Sequence, residues 1–226
     1  MSEQLLVFDM DGVLVDVTES YRETIQRTVE HFTGRRITRD EIQQWKNRGG
    51  WNDDWALSNQ LIHDAGIRVE YQSVVDHFNS IFHGDGSDGL ILRERWIAAD
   101  GLFERLAERF QLAVFTGRLR WEAELTLKRY APHLPFAPIV GTDDVSQGKP
   151  APEGLLKIRA HAKQQRLWYI GDTVDDARCA LAAGVPFIGI AAPANPRYNE
   201  LADLLKAQRA VAVLDDINQL ERVVNV

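Results

Sequence analysis

A four-residue apolar run, Leu5-Leu-Val-Phe8, ends abruptly on Asp9-Met-Asp-Gly12. A run this short, bulky and closed by a turn signal reads as a fully buried strand. Side chains two apart on an extended chain point the same way, so Asp9 and Asp11 project together from the strand's carboxyl end. Two carboxylates held that close repel, and one takes up a proton unless a cation sits between them. A hard divalent ion such as magnesium, which takes oxygen ligands, resolves the conflict at neutral pH. Gly12 lets the backbone turn sharply and leaves room for an anion beside exposed N–H groups. The plainer reading is a strand followed by an Asp-Gly turn; the rest of the chain decides between them.

Downstream, apolar periodicity predicts helices over residues 18–32, with Tyr21, Ile25, Val29 and Phe32 on one face, and over 38–46, opened by the capping box Thr38-Arg-Asp-Glu41. Two more are predicted over 53–65 and 70–82, and residues 85–89 are rich in turn signals. Residues 16–95 therefore read as an all-α insertion with no convincing buried strand. From there the pattern alternates. Strands are expected over 112–115, 137–141, 167–170, 187–190 and 211–214, and helices over 101–110, 121–130, 152–163, 175–183, 198–208 and 217–224. Such alternation implies right-handed crossovers and a doubly wound parallel sheet covered on both faces, a Rossmann-like α/β core formed by residues 1–15 and 96–226.

Composition excludes some classes. Hydrophobic and charged fractions of 45% and 26% are those of an ordinary globular protein. A net charge of -7 with no Lys/Arg block argues against a nucleic-acid partner. The polar start and the brevity of the first apolar run argue against a signal peptide or a membrane span, so a cytoplasmic enzyme or binding protein is expected, as a monomer or homodimer. The single cysteine, Cys179, lies in an alanine-rich helical stretch and reads as a packing residue. The six histidines show no metal-ligand spacing.

In a parallel sheet, ligands sit outside the carboxyl ends of the strands. Asp9 and Asp11, Thr116-Gly-Arg118, and Gly171-Asp-Thr-Val-Asp-Asp176 all fall at that rim, and Gly148-Lys-Pro-Ala-Pro152 lies in a loop entering a helix. These four stretches, in this order, resemble the motifs of the haloacid dehalogenase superfamily, and the helical segment resembles its α-helical cap. The resemblance implies Asp9 as nucleophile and Asp11 as the acid and base, with its main-chain carbonyl a metal ligand. It also implies magnesium held by Asp9, Asp11 and Asp172, with Asp176 binding a metal-bound water or Lys149, and Asp175 the alternative for that supporting role. Thr116 and Lys149 would hold the transferring phosphoryl oxygens; a helix N-cap and a solvated loop lysine are their plainer readings.

Within the resemblance, Asp11 favours phosphotransfer over carbon–halogen cleavage, because the superfamily's metal-free dehalogenases lack a second acid there. The second motif departs from its common Ser/Thr-Asn form, since Gly117 and Arg118 follow Thr116. Arg118 reads either as a forked ligand for substrate phosphate or carboxylate or as a surface arginine at a helix start. In the insertion, Arg48, Trp51 and Asn52 lie on a glycine-containing break and are candidate substrate contacts, with Glu19 and Tyr21 lesser ones; alternatively Trp51 and Trp55 pack the insertion's own core. The expected function is a magnesium-dependent phosphatase for a small phosphate monoester, histidinol phosphate being one candidate. A phosphomutase reusing the same aspartyl-phosphate and a non-catalytic module of the same fold are the alternatives.

Overall fold

Strand β1 (Gln4–Phe8) runs through the middle of a six-stranded sheet, with Leu5 to Phe8 almost wholly enclosed. The computed structural model describes residues 4–162 and 166–224. The other strands are β4 (Gln111–Phe115), β5 (Phe136–Val140), β6 (Arg166–Gly171), β7 (Phe187–Ile190) and β8 (Ala212–Leu214). Their spatial order is β5-β4-β1-β6-β7-β8 and every pairing is parallel. Chain order reverses on either side of β1, which makes this the doubly wound α/β sheet that alternating strands and helices imply.

Alternation along each strand feeds two apolar layers. Leu6, Phe8, Leu112 and Val114 face α5 (Leu102–Arg109), α6 (Arg120–Tyr130) and the closing turns, which end in α10 (Glu221–Val224). Leu5, Val7, Ala113, Phe115 and Tyr169 face α7 (Glu153–His161), α8 (Val174–Ala183) and α9 (Tyr198–Ala207). Cys179 is buried in the second layer, its Sγ 3.2 Å from the Ala151 carbonyl. Of the helix expected over 152–163, Lys163 lies outside the described residues.

Between β1 and β4 the chain makes α1 (Tyr21–Thr33), α2 (Arg39–Arg48), α3 (Asp54–Asp64) and α4 (Tyr71–Phe82). Gly34 ends α1 in the left-handed conformation, and Thr38 and Glu41 close the capping box at α2. Tyr21, Ile25 and Val29 are buried against Phe78 and Phe82 of α4, whereas Phe32 is half-buried.

One short ribbon borders this segment, beside the expectation of no convincing buried strand within it. β2 (Val15–Asp16) and β3 (Arg95–Trp96) pair antiparallel, Val15 opposite Trp96 and Asp16 opposite Arg95. Two-residue strands carry no periodicity; they form because the chain leaves the core and returns to it side by side.

Candidate active site

Three neighbouring strands, β4, β1 and β6, end at one rim, and each delivers polar side chains there: Thr116, then Asp9 and Asp11, then Asp172. The Asp9 N–H donates to the Ile170 carbonyl at 2.8 Å, extending the β1–β6 ladder by one residue and fixing the carboxylate in place. Lys149, from the loop before α7, places Nζ 2.7 Å from Asp9 Oδ1 and 2.7 Å from Asp176 Oδ1. Its ammonium lies 5.1 Å from the Phe115 ring centre and 5.5 Å from that of Tyr169, an aromatic slot that suits a desolvated cation. The lysine is buried rather than solvated.

Asp176 is held by the helix it begins. Thr173 caps α8, its Oγ1 accepting from the Asp176 N–H at 3.1 Å while its own N–H donates to Asp176 Oδ2 at 3.0 Å. Tyr169 Oη donates to Oδ1 at 2.6 Å. Burial works against the charge of Asp176, yet Lys149 and these hydrogen bonds hold its carboxyl below the usual range.

The acids at the rim fit a divalent cation. Carboxylate oxygens of Asp9, Asp172 and Asp176 lie within 4.8 Å of one another. Asp172 Oδ1 is enclosed and accepts no hydrogen bond among the described residues. Burial, then the charges of Asp9 and Asp176, push the Asp172 carboxyl well above the ordinary carboxylate range. Burial likewise pushes Asp9 up to about 7, against the pull of Lys149. Mutually repelling, desolvated carboxylates of this kind are relieved by an oxygen-seeking cation. Gly12 has φ 74°, and a Cβ there would lie 2.1 Å from Asp172 Oδ2, so this position requires glycine on both counts.

Asp11 turns its carboxylate away from that cluster toward Arg118. Arg118 Nε donates to Asp11 Oδ1 at 2.7 Å, Nη2 lies 2.6 Å from Glu94 Oε1, and Nη1 donates to Thr126 Oγ1 at 3.1 Å. Thr126 in turn donates to Glu94 Oε2 at 3.0 Å, and the Tyr21 ring lies 5.0 Å from the guanidinium carbon. Arg118 is only 2% exposed, which excludes a surface arginine; its donors are taken up by the protein's own acids and hydroxyl. Thr116 is buried and accepts from the Arg118 N–H at 3.2 Å, bracing the turn. It does not cap α6, whose N-cap is Leu119.

A cavity of about 240 Å³ opens from this rim toward the insertion. Asn52 and Gly117 line it, and a Cβ on Gly117 would lie 2.4 Å from Asn52 Nδ2. Arg48 and Trp51 do not line it. The Arg48 guanidinium stacks over Trp45 at 4.3 Å, and Trp51 meets Trp45 edge-on at 4.9 Å. Glu19 also lies outside, paired with Arg95, whereas Tyr21 is in the lining. The sequence reading missed Arg22, Lys46, Asp54, Phe78 and Glu122, all on the cavity wall. Lys46 Nζ and Asp54 Oδ1 are 2.6 Å apart, and Arg22 Nη1 lies 3.7 Å from Asp54 Oδ2. Glu122 accepts from Tyr21 Oη at 3.2 Å and lies 2.6 Å from His83 Nε2. For the four charged ones the one signal in the sequence was a charge within a predicted helix; Phe78 reads as an ordinary apolar helix residue.

Comparison with known proteins settles the lineage. The family model for haloacid dehalogenase-like hydrolases matches residues 6–190. The chain belongs to that family. Among curated relatives, an imidazoleglycerol-phosphate dehydratase of Phytophthora nicotianae is 32% identical over 199 residues, 84% of this chain and 44% of that protein, so the chain spans under half its length. Phosphoglycolate phosphatase 1 of Pseudomonas aeruginosa is 25% identical over 80% of this chain and 67% of its own. A haloacid dehalogenase-like hydrolase from Bacteroides fragilis shares the fold at a TM-score of 0.77, with 22% identity, 96% of this chain and 99% of the other covered. The chain is thus a hydrolase of this family. No helix among the described residues is long and apolar enough to cross a membrane.

Proposed function

We propose that this hydrolase is a magnesium-dependent phosphatase that cleaves a small phosphate monoester through a phosphorylated Asp9, with the helical insertion acting as a cap over the site. The observation that carries the reading is the position of Asp9: buried, 2.7 Å from Lys149, beside the uncompensated Asp172, at the mouth of a cavity sized for a small molecule. The phosphatase named among the relatives supports the reaction class.

Asp9 Oδ would attack phosphorus in line, forming an acyl phosphate as the ester P–O bond breaks. Asp11 would deliver a proton to the leaving oxygen and then take one from the water that hydrolyses Asp9. Lys149 and Thr116 would hold phosphoryl oxygens, where charge must be balanced. Asp9, Asp172 and the Asp11 main-chain carbonyl would hold magnesium, with Asp176 behind through Lys149; the ion would neutralise phosphate charge. Arg118 would keep the Asp11 carboxylate oriented rather than touch substrate.

The test is phosphate release from a panel of esters, with and without magnesium. Phosphoglycolate and imidazole-bearing esters such as histidinol phosphate belong in it, because relatives are named for esters of both kinds. Turnover should require magnesium, and Asp9→Asn should abolish it. Full turnover by that variant would refute the nucleophile.

A further inference from the structure

Asp175 sits between the capping residue Thr173 and the start of the second turn of α8, yet its carboxylate leaves the core. It accepts from the Gly50 N–H at 2.7 Å and 2.9 Å and from the Trp51 N–H at 3.2 Å, residues 125 and 124 positions earlier in the chain. The side chain is buried. Two successive peptide N–H groups can converge on one carboxylate because Gly49 and Gly50 adopt φ of 76° and 83°. A Cβ on Gly49 would lie 2.1 Å from Arg178 Nη1 and 3.1 Å from Asp175 Oδ1, so the turn is pressed against α8. Arg178 Nη1 adds a contact to the Arg48 carbonyl at 3.4 Å, and Arg197 Nη2 donates to Asp40 Oδ2 of α2 at 2.9 Å.

We infer that Asp175 is a positioning residue that latches the 49–52 turn of the insertion onto the core and so sets Asn52 over the reaction site. The turn's next residues are those that matter to a substrate: Asn52 abuts Gly117, and Asp54 and Trp55 line the cavity wall. Charge-assisted hydrogen bonds to main-chain N–H groups are stronger than neutral ones, and two N–H groups, one shared between both oxygens, act at one point. The adjacent Asp176 faces inward to Lys149. One helical turn therefore braces the acid cluster with one carboxylate and holds the 49–52 turn beside the cavity with the next. The latch follows from geometry alone; its effect on substrate rests on the phosphatase reading above.

The two parts separate in one experiment on the full chain, comparing wild type with Asp175→Asn and Asp175→Ala. Hydrogen–deuterium exchange at Gly50 and Trp51 should accelerate about tenfold or more in both variants, while exchange in β1 stays as in wild type. With a turned-over ester, KM should rise about tenfold with kcat within about twofold, because saturating substrate still closes the site. Unchanged exchange at both amides in both variants overturns the latch. Faster exchange with unchanged KM overturns its role in setting the site. Faster exchange in the variants, beside a wild type that releases phosphate from no ester, upholds the latch and removes the phosphatase reading instead.

Discussion

Arg118 Nε lies 2.7 Å from Asp11 Oδ1, and Nη2 of the same guanidinium lies 2.6 Å both from that oxygen and from Oε1 of the enclosed Glu94. One cation is thus shared between an acid at the rim and an acid immediately before β3, where the chain returns from the insertion. Removing it leaves Glu94 charged in a desolvated place, where burial already raises its pKa. Arg118→Met should cost about 3–5 kcal/mol in urea denaturation, as for other broken buried pairs. Adding Glu94→Leu should return most of that loss, since the enclosed charge is then gone and the carboxylate left behind, Asp11, is the part-exposed one. A double variant no more stable than the single one would deny the pairing.

Asp172→Asn should separate stability from activity. The wild-type carboxylate is pushed up by burial, Asp9 and Asp176, so in metal-free protein its charge opposes folding. The amide removes that repulsion, and thermal unfolding without magnesium should occur at a higher temperature than wild type, by about 1–2 kcal/mol of stability. The same variant should lose the rise in Tm that magnesium gives wild type.

Glu153 offers a pH-dependent test away from the acid cluster. Its carboxylate receives Lys157 and the N–H groups of Ser146 and Gln147, which pull its pKa down to about 2 from an ordinary 4.5. A depressed carboxylate stabilises the fold above its unfolded pKa and loses that contribution as pH falls through the folded one. Glu153→Gln should therefore be less stable than wild type at pH 7, and the gap should shrink from about pH 4.5 down to about pH 2. A gap that is constant with pH would mean the loop leading to Lys149 is not held this way.

Gly154→Ala sets two effects against each other. Alanine in a helix is favoured over glycine by about 1 kcal/mol. At this buried position in α7, however, a Cβ would lie 2.2 Å from the Phe115 ring, beside the slot that holds Lys149. Overpacking of this kind costs about 1–3 kcal/mol, so the variant should be net destabilised in denaturant titration. Stabilisation would show that the α7–β4 contact is looser than described.

The residues brought to the rim were legible because each sits at a strand end or in a short loop beside one, where local pattern fixes direction. Asp9, Thr116, Lys149 and Asp172 are of this kind. The partners of Arg118 were not, since Glu94 and Asp11 approach it across 24 and 107 residues and only the assembled fold places them together. The placement of Arg48 and Trp51 was not legible for a local reason: the two left-handed glycines between them turn both side chains onto Trp45. Asp175 and Asp176 differ by one position on a helix, about 100° of rotation, which sends one to the insertion and the other to Lys149. Sequence alone could not choose between them.

The two-residue ribbon of β2 and β3 sets the exit and re-entry of the chain side by side. A segment whose ends meet can be exchanged as a cassette without stretching the scaffold beneath it. The core and the insertion are then free to diverge at separate tempos, provided each new cassette brings its own handholds for Asp175, Glu122 and Arg118.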